Sequence, residues 1–244
     1  MHKFVLAGTQ RAGTSLVNST LNSHSRIRCY GEVFLYAKGK GRDMPGSYRR
    51  FVESRGWRGW LQHYLNRPAS MRRCLDELYA LDGFDAVGFK LMLSQALRDP
   101  AIVDYLVDLD VKVVFLVRWN VLKTHLSRVS AKKRGLYISR EKVKVEKIRI
   151  DTKHLLRHLR EIAGEQLLWR RIFSKLRSIE VFYEDVVKDK PAQLARIEQF
   201  LGVGHEELAT PVVKINPDDM RQYVENYDEV AEFLRGTEFE QYLT

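Results

Sequence analysis

The sequence predicts an α/β fold, a three-layer sandwich whose central parallel sheet is flanked by helices, in a single domain over residues 1–244. Three observations carry that expectation. Short apolar runs alternate with helical patterns along the chain. The runs are continuous, as in strands covered on both faces, whereas a half-exposed strand would alternate apolar and polar residues. The first run enters a loop with spaced glycines that opens a helix, the order of a P-loop-like fold. With 45% hydrophobic and 30% charged residues, the chain can bury a large core without disulfides or metals. No repeat, low-complexity tract or Pro/Gly/Ser-rich linker divides it.

Taken in order, Phe4-Val5-Leu6-Ala7 is the first strand, and a helix over Thr14–Asn22 follows its loop. Arg26–Cys29 makes a short second strand. The third is Ala86-Val87-Gly88-Phe89, closed by Lys90. A helix around Asp99–Val107 leads to the fourth strand, Val111–Val117, and the segment Val121–Lys133 is helical again. Within Thr152–Ser174, Leu155, Leu159, Ile162, Trp169 and Phe173 recur by steps of three, four and seven, which places them on one helix face. Ile179–Tyr183 is the fifth strand. Pro191 opens a further helix with Leu194, Ile197 and Leu201 facing inward, and Gly202 ends it by taking the left-handed conformation.

The charge is one-sided. Lys and Arg number 41 against 31 Asp and Glu, a net of +10, but residues 1–134 hold 23 basic and 11 acidic side chains while residues 135–244 hold 18 and 20. Such a field gathers anions, whether nucleotides, sulfated or carboxylated sugars, or nucleic acid. Cys29 and Cys74 are too few for a disulfide framework and lack metal-site spacing, so buried or idle thiols in a reducing compartment are expected. The run Phe4 to Gly8 is too short for a signal-peptide core or a membrane span, which suits a cytoplasmic protein without a transmembrane segment.

The loop Gly8-Thr9-Gln10-Arg11-Ala12-Gly13-Thr14-Ser15 carries the first chemistry. Its two glycines have Walker A separation, which lets backbone N–H groups converge on a phosphate at the positive end of a helix. The lysine that should follow Gly13 is replaced by Thr14, and the nearest cation is Arg11. A metal-dependent nucleotide hydrolase also needs an acid at the end of an apolar strand, yet Val113–Val117 ends in Arg118. A cation in that place points to an anion held directly.

These residues resemble the sulfotransferases that use 3′-phosphoadenosine 5′-phosphosulfate (PAPS), in particular the bacterial carbohydrate-type branch, which is similar also to the tyrosylprotein enzymes. The loop Thr9 to Ser15 resembles the family's 5′-phosphosulfate loop. Val113-Val114-Phe115-Leu116-Val117-Arg118-Trp119-Asn120-Val121-Leu122, with Ser127 beyond it, resembles the 3′-phosphate motif. Cys29-Tyr30-Gly31-Glu32-Val33-Phe34 is similar to the element that supplies a general base. Val181 to Val186, Phe200-Leu201-Gly202 and the segment Val224 to Val230 also resemble the family. Trp119 and the basic segment Lys132–Arg149 depart from it.

The resemblance implies donor contacts from Arg11, Ala12, Gly13, Thr14, Ser15, Arg118 and Ser127, with adenosine 3′,5′-bisphosphate (PAP) as product and no metal. It implies Glu32 as the base for an acceptor hydroxyl of a glycan, glycolipid or small molecule, and the basic surroundings favour an anionic glycan or glycolipid. Sulfuryl transfer builds charge on the leaving phosphate oxygen, which Arg11 can meet with a planar fork. Lys90, at the end of the third strand, is expected to assist Arg11 or bind an anionic acceptor, or else to reach into water as an ordinary strand-end lysine.

Several residues have plainer readings. His154 and His158 are four apart on a helix, but Lys153, Arg157 and Arg160 surround them, so a solvated face rather than a metal site is expected. His125 is expected to pack or to lie on the surface. Trp57 and Trp60, interleaved with Arg55 and Arg58, suit a stacking platform or an amphipathic lid equally well. Two rival functions remain. A P-loop kinase or nucleotide hydrolase would need Glu184 or Asp185 to hold magnesium. A nucleic-acid-binding module would use a helical basic face over Arg128–Arg149, but no RNA motif accompanies it, and no nucleic-acid partner is expected.

Overall fold

The computed structural model describes residues 1–35, 46–135, 139, 141, 143–210 and 215–243. Five strands, β1 (His2–Gly8), β2 (Ile27–Glu32), β3 (Ala86–Met92), β4 (Lys112–Val117) and β5 (Ser178–Phe182), form one sheet in the order β2-β3-β1-β4-β5. Every neighbouring pair is parallel. The chain leaves β1 toward β2 on one side and returns to β4 on the other. The reversal opens a crevice at the C-terminal ends of the strands, beside Gly8.

Side chains alternate across the sheet and so build two separate cores. Val5, Ala7, Val87, Phe89, Leu91, Val113, Phe115 and Val117 point to one face. They pack against α2 (Tyr48–Glu53), α4 (Arg67–Tyr79), α5 (Leu93–Arg98), α6 (Ala101–Asp108) and the end of α8 (Leu155–Phe173), with α3 (Gly56–Leu65) outside them. Phe4, Leu6, Ala86, Val114, Leu116 and Val181 point to the other face, under α1 (Thr14–Leu21), α9 (Tyr183–Lys188) and α10 (Lys190–Leu201). The layers are therefore helix, sheet, helix, as the continuous apolar strands predict. A third cluster joins α7 (Val121–Arg134), the start of α8 and α11 (Tyr227–Leu234), with Tyr223, Val224 and Phe239 among its buried members.

The structure corrects several boundaries. β2 runs on to Glu32 instead of ending at Cys29 because it stays paired with β3 through a shift of register between Tyr30 and Glu32, and β3 continues two residues past Lys90 because Leu91 and Met92 pair with Ala7 and Gly8 of β1. A 3-10 turn over Thr152–His154 precedes α8, so the long helix begins at Leu155. The basic run Arg128–Arg149 is not one helical face: α7 stops at Gly135, whose φ of 66° ends the helix. Residues 136–138, 140 and 142 of that run lie outside the described residues. Helices α2, α3 and α4 were not foreseen. Their capping signals are legible in hindsight, since Ser47 accepts from the Arg50 N–H and Asn66 from the Ala69 N–H, with Pro68 in the first turn. No helix among the described residues is long and apolar enough to cross a membrane.

Candidate active site

The loop between β1 and α1 is compressed from both sides. A Cβ on Gly8 would stand 2.7 Å from Thr14 Cγ2 and 2.9 Å from the Leu116 carbonyl oxygen, so β4 and α1 approach its backbone closely. Gly13 has φ 90°, and a Cβ there would lie 2.5 Å from Tyr183 Cδ2. Arg11 also adopts a left-handed conformation, with φ 70°, which costs a non-glycine residue about 1 kcal/mol. The result is a tight cradle in front of α1, whose N-cap Gly13 supplies no side-chain acceptor and whose first turn holds no acid. Its leading N–H groups are thus left for an anion. The Thr9 hydroxyl oxygen, buried in the same loop, has no hydrogen-bond partner among the described residues. Ala12 is fully buried in the core beneath α1, so only its backbone can meet a ligand.

Arg118 stands at the end of β4, its guanidinium 4.7 Å from the centre of the Tyr183 ring. Its Nε is buried without a hydrogen-bond partner among the described residues. Tyr183 therefore fills the space between the Gly13 backbone and Arg118, joining the two ligand motifs mechanically. Arg11 Nε donates to Ser127 Oγ at 3.0 Å, so the loop reaches α7 directly. The turn before α7 is held by Glu184, which accepts from the backbone N–H groups of Trp119 (3.0 Å) and Asn120 (3.2 Å). Glu184 is one of the two acids, with Asp185, that a magnesium-dependent rival would need, and here its two oxygens fix the Arg118 turn. Trp119 packs edge-on against Tyr242, 4.9 Å between ring centres.

On the other side of the loop, the register shift in β2 sets Glu32 beside Lys90. Lys90 Nζ lies 2.9 Å from Glu32 Oε1 and donates to Ser15 Oγ at 3.2 Å. The second carboxylate oxygen, Oε2, accepts from Gln95 Nε2 at 3.0 Å. Gln95 is buried, and its own Oε1 accepts from the Met92 N–H, so its amide cannot turn without losing that bond. Glu32 is thereby held at both oxygens, and Lys90 ties it to the first turn of α1. Thr14 is buried at the head of the same turn.

The structure thus brings Arg11 with Ser127, and Ser15 with Lys90 and Glu32, around one loop, with Arg118 one ring away. Sequence reading missed Gln95, Tyr183 and Glu184 as parts of this site. Their signal was position: Gln95 follows β3 within one turn, and Tyr183 and Glu184 follow β5 at the same sheet edge.

The remaining candidates fall elsewhere. His125 is buried and stacks on His158, with ring centres 5.2 Å apart. Burial, with His158 and Arg128 nearby, pushes His125 down to about 4. The His158 ring is therefore not on a freely solvated face, a correction to the expectation. No group of three His, Cys, Asp or Glu among the described residues is placed to hold a metal. Cys29 and Cys74 are buried thiols, and burial raises both, which removes nucleophilic character. Trp60 packs on the core beside His63, whereas Trp57 is exposed.

Comparison with known proteins gives this geometry a family. The sulfotransferase family pattern matches residues 4–207. The comparison with curated proteins found no match. Among solved structures, a sulfotransferase from Alicyclobacillus acidocaldarius is 15% identical with a TM-score of 0.50, covering 100% of this chain and 96% of that one. The sulfotransferase domain of the Synechococcus PCC 7002 olefin synthase is 17% identical with a TM-score of 0.50, covering 91% and 82%. Both likenesses concern the fold. The match over residues 4–207 spans most of the sequence and includes the loop, the Arg118 turn, Glu32 and Lys90, and by it the chain belongs to the sulfotransferase family.

Proposed function

We propose that this sulfotransferase moves a sulfuryl group from PAPS to a hydroxyl of a glycan or glycolipid, with Glu32 as general base. The observation that carries the reading is the bonded series Ser15–Lys90–Glu32, which runs from the anion cradle to a carboxylate held at both oxygens. The cradle fits a phosphosulfate because its helix is uncapped and the Thr9 hydroxyl lacks a partner. Arg118, with an unpartnered Nε, and Ser127 suit a 3′-phosphate.

When bound, PAPS supplies the sulfur electrophile and a phosphate leaving group. The acceptor oxygen bonds to sulfur as the bond from sulfur to the phosphate oxygen breaks, and Glu32 takes the hydroxyl proton. Arg11 and Lys90 neutralise the charge left on the phosphate, which becomes the 5′-phosphate of PAP. Arg11, Lys90 and Arg118, with the helix N-terminus, supply the positive charge that a metal would otherwise bring, so we expect transfer without one. The two buried, unpaired thiols suit a cytoplasmic setting.

The test is transfer of radiolabelled sulfate from PAPS, in the presence of a chelator, to glycans and to lipid-linked glycans. Labelled product that disappears in Glu32→Gln supports the reading. Donor binding with no transfer to any hydroxyl-bearing acceptor counts against it.

A further inference from the structure

Helix α3 is oriented against the usual logic of a surface helix. Trp57 (69% exposed), Leu61 (47%), Tyr64 (77%) and Leu65 (77%) project outward. They follow one another at i, i+4, i+7 and i+8, an arc of about 100° at helical spacing. The opposite side is fixed: Trp60 packs on the core and His63 Nδ1 is 3.0 Å from Tyr48 Oη. The apolar arc is therefore presented by a helix that cannot roll inward to hide it.

The uncompensated charge beside the arc is positive. Residues 54–75 contain five arginines, Arg55, Arg58, Arg67, Arg72 and Arg73, and no Asp or Glu. Arg55, Arg67 and Arg72 are each paired with a carboxylate from another element, Glu77, Asp99 and Asp108. Arg58 and Arg73 have no carboxylate partner among the described residues. Arg58 stands 5.5 Å from the Trp57 ring centre, and Arg73 donates to Gln62 of α3, so both border the same edge of the arc. Trp and Tyr beside Leu, rimmed by uncompensated arginine, is the composition of a helix that lies in a lipid headgroup layer. An apolar protein partner would not require the arginine rim, and an acidic one would not require four large apolar side chains.

We propose that α3 seats this protein on an anionic lipid surface. Trp57, Leu61, Tyr64 and Leu65 enter the boundary between headgroups and acyl chains, while Arg58 and Arg73 meet anionic headgroups. Helix α2, bonded to α3 through Tyr48 and His63, is also bonded to the segment after Glu32, since the Tyr48 N–H donates to the Val33 carbonyl at 2.9 Å. Seating does not depend on what is sulfated, and the test uses neither donor nor acceptor.

The experiment is flotation of the full chain with vesicles of phosphatidylcholine alone and of phosphatidylcholine mixed with phosphatidylserine. The expected result is binding to the mixed vesicles, weakened by salt, with little on the neutral ones. Arg58→Gln and Arg73→Gln should each lower partitioning about five-fold. Leu61→Glu with Leu65→Glu should abolish it, and because both side chains are exposed the thermal melt should not change. Three results overturn the proposal: no binding to the mixed vesicles; binding that the paired Leu→Glu variant leaves intact; or a dimer in light scattering that the same variant dissociates, which assigns the arc to a second copy of the chain.

Discussion

Replacing Glu32 by Gln changes one charge and almost no volume, and the contacts around it set the expected losses. Glu32 Oε1 meets the Lys90 ammonium at 2.9 Å and Oε2 accepts from the Gln95 amide at 3.0 Å. A glutamine at 32 has one oxygen for these two donors. Turned toward Lys90, it sets its NH2 against that of Gln95; turned toward Gln95, it sets NH2 against an ammonium. Gln95 cannot relieve the first conflict while its Oε1 holds the Met92 N–H. One donor is lost in either case, a cost of about 1–3 kcal/mol in stability for a partly buried group. The catalytic loss is separate, because the amide cannot take the acceptor's proton, and a positioned base is worth about 10²–10⁴ in rate. The assay is steady-state transfer at saturating donor beside a thermal melt and a donor titration. Turnover should fall by that factor, the melt should drop modestly, and donor affinity should stay within a few-fold. Turnover near wild type on the true acceptor refutes the assignment of Glu32 as base. A collapse of donor affinity in the folded variant would place Glu32 in the donor site instead.

Other perturbations separate the remaining roles. Arg118→Ala removes a charge-assisted contact to the 3′-phosphate and should weaken PAP binding roughly ten- to a hundred-fold, with a smaller effect from Ser127→Ala; calorimetry with PAP and with adenosine 5′-phosphate checks it, and unchanged discrimination between the two removes Arg118 from the site. Gln95→Leu takes a donor from the Glu32 carboxylate and frees it to swing about its Lys90 contact, so turnover should fall roughly ten-fold while donor affinity holds; unchanged turnover in the folded variant makes Gln95 merely structural. His125 sits at about 4 in the fold against 6.5 when unfolded, so the unfolded chain takes up its proton first. Its stabilising effect is whole above pH 6.5 and fades as the pH falls to about 4, a loss of about 3 kcal/mol. His125→Phe should flatten that part of the pH–stability curve, and parallel curves would show that the buried imidazole does not titrate this way.

The sheet was legible because its strands are buried on both faces and so read as continuous apolar runs. Helices α8 and α10 were legible from periodicity, and Gly202 ends α10 with φ 79° as its type suggests. Helix α3 was not, because its outward face is apolar and its periodicity points away from the core. The loop between β1 and α1 and Arg118 could be placed from strand and loop order alone. The Glu32–Lys90 contact could not, since it depends on a one-residue shift between β2 and β3 that no local spacing encodes. The same holds for Tyr183, whose ring meets Gly13 and Arg118 only once β5 lies beside β4. His158 looked solvated beside Arg157 and Arg160, and it is the packing of α8 on α7 that sets its ring against His125.

The most direct test of the nucleotide recognition on which the proposed sulfuryl transfer rests is the thermal melt with nucleotide in the presence of a chelator. PAP binding to the native state should stabilise it by about 2.7 kcal/mol at a hundred times its dissociation constant, with adenosine 5′-phosphate and ATP giving less at equal concentration. The Arg118→Ala variant should lose the advantage of PAP over adenosine 5′-phosphate. Protection by ATP equal to that by PAP, with an absolute requirement for magnesium, would contradict the account and transfer the case to a nucleotide hydrolase or kinase.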